Sequence, residues 1–143
     1  MGGLINALRE STLIFAPHLN SYRRLKPGSH APTGICWGYE NRTASIRIPG
    51  GGSENTRIEH RVAGADANPY LVASAVLAAA LNGIEKEIEA PHPVDGDSYG
   101  HDLEQIPFNW DMATDIFRKG NLNKLFYTDT FIQVFSNLKL QEI

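Results

Sequence analysis

Thr43-Ala44-Ser45-Ile46-Arg47-Ile48-Pro49, followed after a glycine-rich loop by Arg57-Ile58-Glu59-His60-Arg61, is the stretch on which the fold turns. Side chains on an extended chain point alternately to opposite faces. Thr43, Ser45 and Arg47 therefore share one face of the first segment, with Ala44, Ile46 and Ile48 on the other. The second segment alternates the same way, placing Arg57, Glu59 and Arg61 together, against Ile58, His60 and Val62. Two such strands joined by the loop Pro49–Thr56 are expected to pair antiparallel. One face of that hairpin then carries several guanidiniums around a single carboxylate. A self-neutralising surface ladder is one reading. The other is a ligand site, because a strand-held carboxylate can hold a divalent cation while flanking arginines hold the phosphate oxygens that the cation bridges.

Working outward, Thr33–Tyr39 reads as a buried strand, and Asn20–Pro32, punctuated by Pro27-Gly28 and Ala31-Pro32, as a loop. Leu4, Ile5 and Leu8 follow a helical rhythm that ends before Pro17. Ala67–Glu89 is the strongest helix: Asn68 is a good N-cap, Pro69 suits the first helical position, and residues 70–81 are apolar almost all round, which predicts burial on most sides. Ala90–Gly100 is turn-rich, and 111–118 and 128–140 read as amphipathic helices. The expected class is α+β: an antiparallel sheet carrying an arginine-rich site, packed against a long buried helix.

The chain has 143 residues, 42% hydrophobic and 20% charged, ordinary values for one globular domain. It has no apolar run of the roughly 18 residues that a membrane span needs, and no signal-peptide pattern. One cysteine, Cys36, has no internal partner, which points to the reducing cytoplasm. The net charge of −3 hides an asymmetry. Residues 20–61 hold seven basic and three acidic side chains, whereas 62–143 hold five and twelve. All but one of the seven are arginine, whose planar fork suits carboxylate and phosphate. An acidic protein with an arginine island is built for small anions rather than nucleic acid. The five histidines and Cys36 show no zinc spacing, and neither GxSxG nor GxxxxGK[ST] occurs. The triplet Gly50-Gly51-Gly52 is either a phosphate-approaching loop or a flexible hairpin connection.

Asn20-Ser21-Tyr22-Arg23-Arg24-Leu25-Lys26-Pro27-Gly28, Ala31-Pro32, Asn41–Pro49, Arg57-Ile58-Glu59 and Asp66–Leu71 resemble, in order and spacing, the C-terminal part of the glutamine synthetase family, over about residues 3–90. The resemblance implies an ATP- and Mg²⁺- (or Mn²⁺-) dependent ligase that joins the γ-carboxylate of glutamate to ammonia or an organic amine through γ-glutamyl phosphate. It implies that Arg42 and Arg61 meet the transferring phosphoryl group with Arg47 in support, that Arg57, with Arg42, contacts nucleotide phosphate, that Glu59 is a metal ligand, and that Arg24 holds the glutamate carboxylate. Where the family's flap reads PG-x-E-AP, this chain has Pro27-Gly28-Ser29-His30-Ala31-Pro32. His30 thus stands at an amine-binding position and brings no negative charge there. Cys36-Trp37-Gly38, Glu59-His60-Arg61 and Gly64–Tyr70 are more similar to the γ-glutamylpolyamine synthetase branch. The family's N-terminal β-grasp domain and the first part of its catalytic domain have no counterpart in 1–143. The chain by itself is therefore expected to be inactive, to expose apolar surface and to belong to a homo-oligomer in its intact form. The alternative is a non-catalytic nucleotide-binding or structural fragment.

Overall fold

The computed structural model describes residues 1–142. Helix α1 (Gly2–Phe15) is buried along nearly its whole length and forms the centre of the molecule. Helix α2 (Pro69–Glu85) lies against one side of it and α3 (Trp110–Lys119) against another, with the short α4 (Asn121–Phe126) beside them and α5 (Asp129–Leu140) packed on α3. Strands β1 (Trp37–Tyr39), β2 (Ile46–Ile48) and β3 (Glu59–His60) form a small sheet in that order.

The hairpin forms as expected. β2 and β3 pair antiparallel, with Ile46 opposite His60 and Arg47 opposite Glu59. Ile46 and His60 face the core, where the imidazole lies against the Phe15 ring at the end of α1, the ring centroids 4.3 Å apart. Arg47 and Glu59 face outwards together. β1 joins β2 in parallel, so the sheet is mixed rather than antiparallel throughout. Parallel neighbours usually need a crossover of a dozen or more residues. Here the strands are three residues long, and residues 40–45 suffice for the return. The turn is built by Glu40, whose φ of 51° is left-handed, and by Asn41, whose Oδ1 accepts from the Thr43 N–H and hydroxyl. A Cβ at Gly38 would overlap the Val94 carbonyl, so glycine is required where residues 94–99 cross the sheet.

The long helix starts as predicted, with the Asn68 carboxamide oxygen accepting from the Tyr70 and Leu71 N–H groups and Pro69 at the first position. It ends earlier than Glu89. Glu87 adopts a φ of 50°, and the Ile88 and Glu87 N–H groups turn back to the Gly83 and Ile84 carbonyls, a left-handed stop. Its burial also differs from the all-round hydropathy. Ala75 and Ala79 pack on α1, whereas Tyr70, Leu77, Leu81 and Ile84 lie exposed in a stripe on the other side. The helix's main neighbour is α1, not the sheet. The two helices touch so closely that a Cβ on Gly3 would overlap the Ala79 carbonyl. Helix α4, which periodicity does not predict, owes its start to a distant side chain: Glu10 on α1 accepts from the Leu122 and Asn123 N–H groups at 2.8 and 3.1 Å. Among the described residues no helix is long and apolar enough to cross a membrane.

Candidate active site

Strand pairing alone sets Arg47 against Glu59. Arg47 donates through Nη1 to Glu59 Oε2 at 3.3 Å and through Nη2 to Glu40 Oε2 at 2.7 Å. The other oxygen of Glu40 accepts from the Gly50 N–H. Arg47 first, and then that N–H, hold the Glu40 carboxyl below the usual carboxylate range. The Glu40 hydrogen bond in turn holds the Arg47 guanidinium above its ordinary value.

Arg61 completes the network. Its Nη1 donates to Glu59 Oε1, its Nε to the Arg42 carbonyl at 3.1 Å, and its Nη2 to the His30 carbonyl at 3.0 Å. One side chain thus ties β3 to the loop bearing Arg42 and to the loop bearing His30. His30 has a φ of 58°, a left-handed backbone that an ordinary residue adopts only when its surroundings impose it. Arg24 joins from the neighbouring loop, donating to the Arg61 carbonyl at 3.1 Å and to the Val62 carbonyl. Burial lowers its proton affinity; the nearby Asp66 carboxylate opposes that effect and Arg61 reinforces it.

Arg42 is different. Among the described residues its guanidinium has no hydrogen-bond or ion-pair partner, and it lines an open cavity of about 460 Å³ with His30, Tyr39, Asp97 and Tyr99. The charged side chains lining it are Arg42, Glu40 and Asp97, and Glu40 is itself engaged by Arg47. The Arg42 guanidinium is left free to meet an anion.

The structure therefore brings together Arg42, Arg47, Glu59, Arg61 and His30, with Arg24 bonded to the main chain at residues 61 and 62. It sets Arg57 apart. β3 starts only at Glu59, so strand alternation does not reach residue 57, and the exposed Arg57 side chain donates to the Asn55 carbonyl of its own loop at 3.3 Å. Cys36 is a buried thiol whose ionisation burial disfavours, and it belongs to the small second core with Ala44 and Val94.

Sequence reasoning missed the segment Val94–Tyr99. Its residues hold the loops of the site in place. The Asn41 carboxamide donates to the Val94 carbonyl at 2.8 Å, and the Tyr99 hydroxyl donates to the Ala31 carbonyl at 2.7 Å. Ser98 bonds Thr43 twice at 2.9 Å, through its N–H to the hydroxyl and through its hydroxyl to the carbonyl. No local pattern signals a contact with residues so far upstream. Ser98 is buried, so Ser98→Ala strands the Thr43 carbonyl and should cost about 1–2 kcal/mol in urea unfolding. An unchanged midpoint would mean that water replaces the hydroxyl.

The family described as glutamine synthetase, catalytic domain, matches residues 1–143. The chain is 38% identical to the γ-glutamylethanolamide synthetase of Streptomyces coelicolor over 143 residues, covering all of this chain and 31% of that one. It is 45% identical to the γ-glutamylputrescine synthetase of Escherichia coli over 108 residues, 76% of this chain and 22% of that one. A solved structure titled "GmaS/ADP complex" superposes with a TM-score of 0.84 at 32% identity, covering 99% of this chain and 34% of that one. The chain spans about a third or less of the length of these relatives. With a match that runs from the first residue to the last and a shared backbone, the chain belongs to the glutamine synthetase catalytic-domain family.

Proposed function

We propose that residues 1–143 are the C-terminal part of the catalytic domain of an ATP-dependent carbon–nitrogen ligase that joins the glutamate γ-carboxylate to an amine through γ-glutamyl phosphate. The observation that carries this reading is the unpartnered Arg42 guanidinium at the rim of a cavity, backed by an ion network that fixes its loop. A guanidinium held in place before the ligand arrives suits the spread charge of a transferring phosphoryl group. The names of the two synthetases fit an organic amine as acceptor, as does His30, a side chain without negative charge, in place of a carboxylate.

The groups that the family implies fit this chain unequally. ATP supplies the phosphoryl group that activates the carboxylate when bound. Arg42 is free to meet its phosphates, whereas Arg57 stands exposed in its own loop, bonded to the Asn55 carbonyl. Arg47, Arg61 and Arg24 are already engaged by carboxylates and carbonyls, so they act as the frame that holds Arg42 and His30 in position. The donor set does not fit Mg²⁺ or Mn²⁺. Both oxygens of Glu59 accept from guanidiniums, and among the described residues no group of three His, Cys, Asp or Glu side chains is placed to hold a metal. Glu59 here orients two arginines, and further metal ligands would have to come from the part of the relatives that this chain does not span. The same part, or a neighbouring copy in a homo-oligomer, is the natural cover for the apolar stripe on α2. One buried cysteine suits the reducing cytoplasm.

Binding rather than turnover is the test. Calorimetric titration with Mg²⁺–ATP should show weak binding that Arg42→Ala reduces by about tenfold, the worth of one charge-assisted phosphate contact. The second reading, a structural fragment, is favoured by the internal pairing of Arg24, Arg47 and Arg61, and it predicts no binding at millimolar nucleotide.

A further inference from the structure

We propose that Asp97 selects the amine, by pairing with a second positive charge at the far end of an aliphatic diamine. The inference rests on the ligase reading and deepens it. The cavity beside Arg42 has two carboxylates in its wall, Glu40 and Asp97. Glu40 is spent: one oxygen accepts from Arg47 and the other from the Gly50 N–H. Asp97 accepts from the Tyr99 N–H through Oδ1 alone, at 3.0 Å, and its Oδ2 has no hydrogen-bond partner among the described residues. It is the carboxylate left for a ligand.

Its surroundings suit an alkylammonium group. Tyr39 and Tyr99 line the same cavity, and an aromatic face next to a carboxylate attracts an organic cation while its edges accept methylene groups. The Tyr99 hydroxyl is tied to Ala31, and Ser98 bonds Thr43 through its N–H and its hydroxyl, so the Asp97 side chain stands just ahead of an anchored stretch of backbone. An attacking nitrogen must be unprotonated, but the distant amino group of a diamine stays charged at neutral pH, as an alkylamine such as lysine's does. With the reacting end near His30, the far ammonium answers Asp97. A monoamine of the same length leaves that carboxylate unpaired, and ammonia cannot span the cavity.

The experiment titrates the full chain with a diaminoalkane and with the monoamine of the same carbon chain. The diamine should bind about fivefold tighter, the worth of an exposed ion pair reinforced by an aromatic face. Asp97→Asn, which can still accept from the Tyr99 N–H, should abolish the difference. Asp111→Asn, in another cavity, should leave it intact. Equal binding of the two amines, a preference that survives Asp97→Asn, or an equal loss in Asp111→Asn overturns the inference. Mg²⁺–ATP titrated into the same samples separates the two claims. Nucleotide binding without diamine preference sinks this inference alone, and Asp97-dependent preference without nucleotide binding counts against the ligase reading alone.

Discussion

Arg61→Met should unfold the site and cost about 3 kcal/mol of stability, a large fraction of the 5–15 kcal/mol typical of a domain. The substitution removes three charge-assisted hydrogen bonds at once, to Glu59 and to the Arg42 and His30 carbonyls. Each such bond is worth about 1.5–3 kcal/mol when buried, and the estimate is reduced because the Arg61 side chain is 20% exposed and that of Glu59 31%. Glu59 keeps Arg47, so its charge is not stranded. The His30 carbonyl loses the bond that holds its left-handed backbone. Urea unfolding measures the stability, and Mg²⁺–ATP titration should show that nucleotide binding falls further than in Arg42→Ala. A loss below 1 kcal/mol would mean that the three contacts are incidental to a loop geometry imposed elsewhere. The double variant with Glu59→Gln should lose less than the sum of the two single changes, since they share one ion pair.

The second large effect is a loss of stability in mild acid, and its source is His60. Burial against Phe15 pushes this imidazole down from 6.5 to about 4, and its Nδ1 has no hydrogen-bond partner. Between those values the unfolded chain binds a proton that the folded chain refuses, so stability rises with pH across the window and falls as pH drops through it. At 1.36 kcal/mol per unit the window is worth up to about 3 kcal/mol, an upper bound for a half-buried ring. Glu40 and Glu142 act in the same direction but lower. Arg47 and Lys139 respectively are the main causes that depress their carboxyls, so their contribution is present above the ordinary value of 4.5 and is lost as pH falls through their folded values. Urea midpoints between pH 6.5 and 4.5 should therefore decline in the wild type and stay flat in His60→Phe, which keeps a ring in contact with Phe15. Parallel curves would place the acid sensitivity elsewhere.

The parts of this fold legible in the sequence are those governed by local rules. Period-two alternation set Ile46 and His60 inwards and Arg47 and Glu59 outwards, and Asn68-Pro69 marked the start of α2. What was not legible was non-local. The Glu10 cap of α4 comes from 112 residues away, and the parallel register of β1 depends on a turn whose left-handed residue is Glu40 rather than glycine. Apolar residues all round α2 predicted burial that α1 alone does not supply. The site divides in the same way. Arg24, Arg47 and Arg61 are visible as charges, but four of the seven hydrogen bonds they donate go to main-chain carbonyls, which every residue possesses and no motif records. Arg57 shows the limit of alternation: it holds only while the strand does, and β3 is two residues long.

Because Arg61 grips residue 30 by its main chain, the identity of that side chain is disconnected from the scaffold around it. Mutation can exchange the imidazole for another group without moving the neighbouring loops, so long as the newcomer tolerates the same backbone angle. Position 30 is thereby left open to drift, and a lineage could change the group presented to the cavity there while inheriting the surrounding loops unaltered.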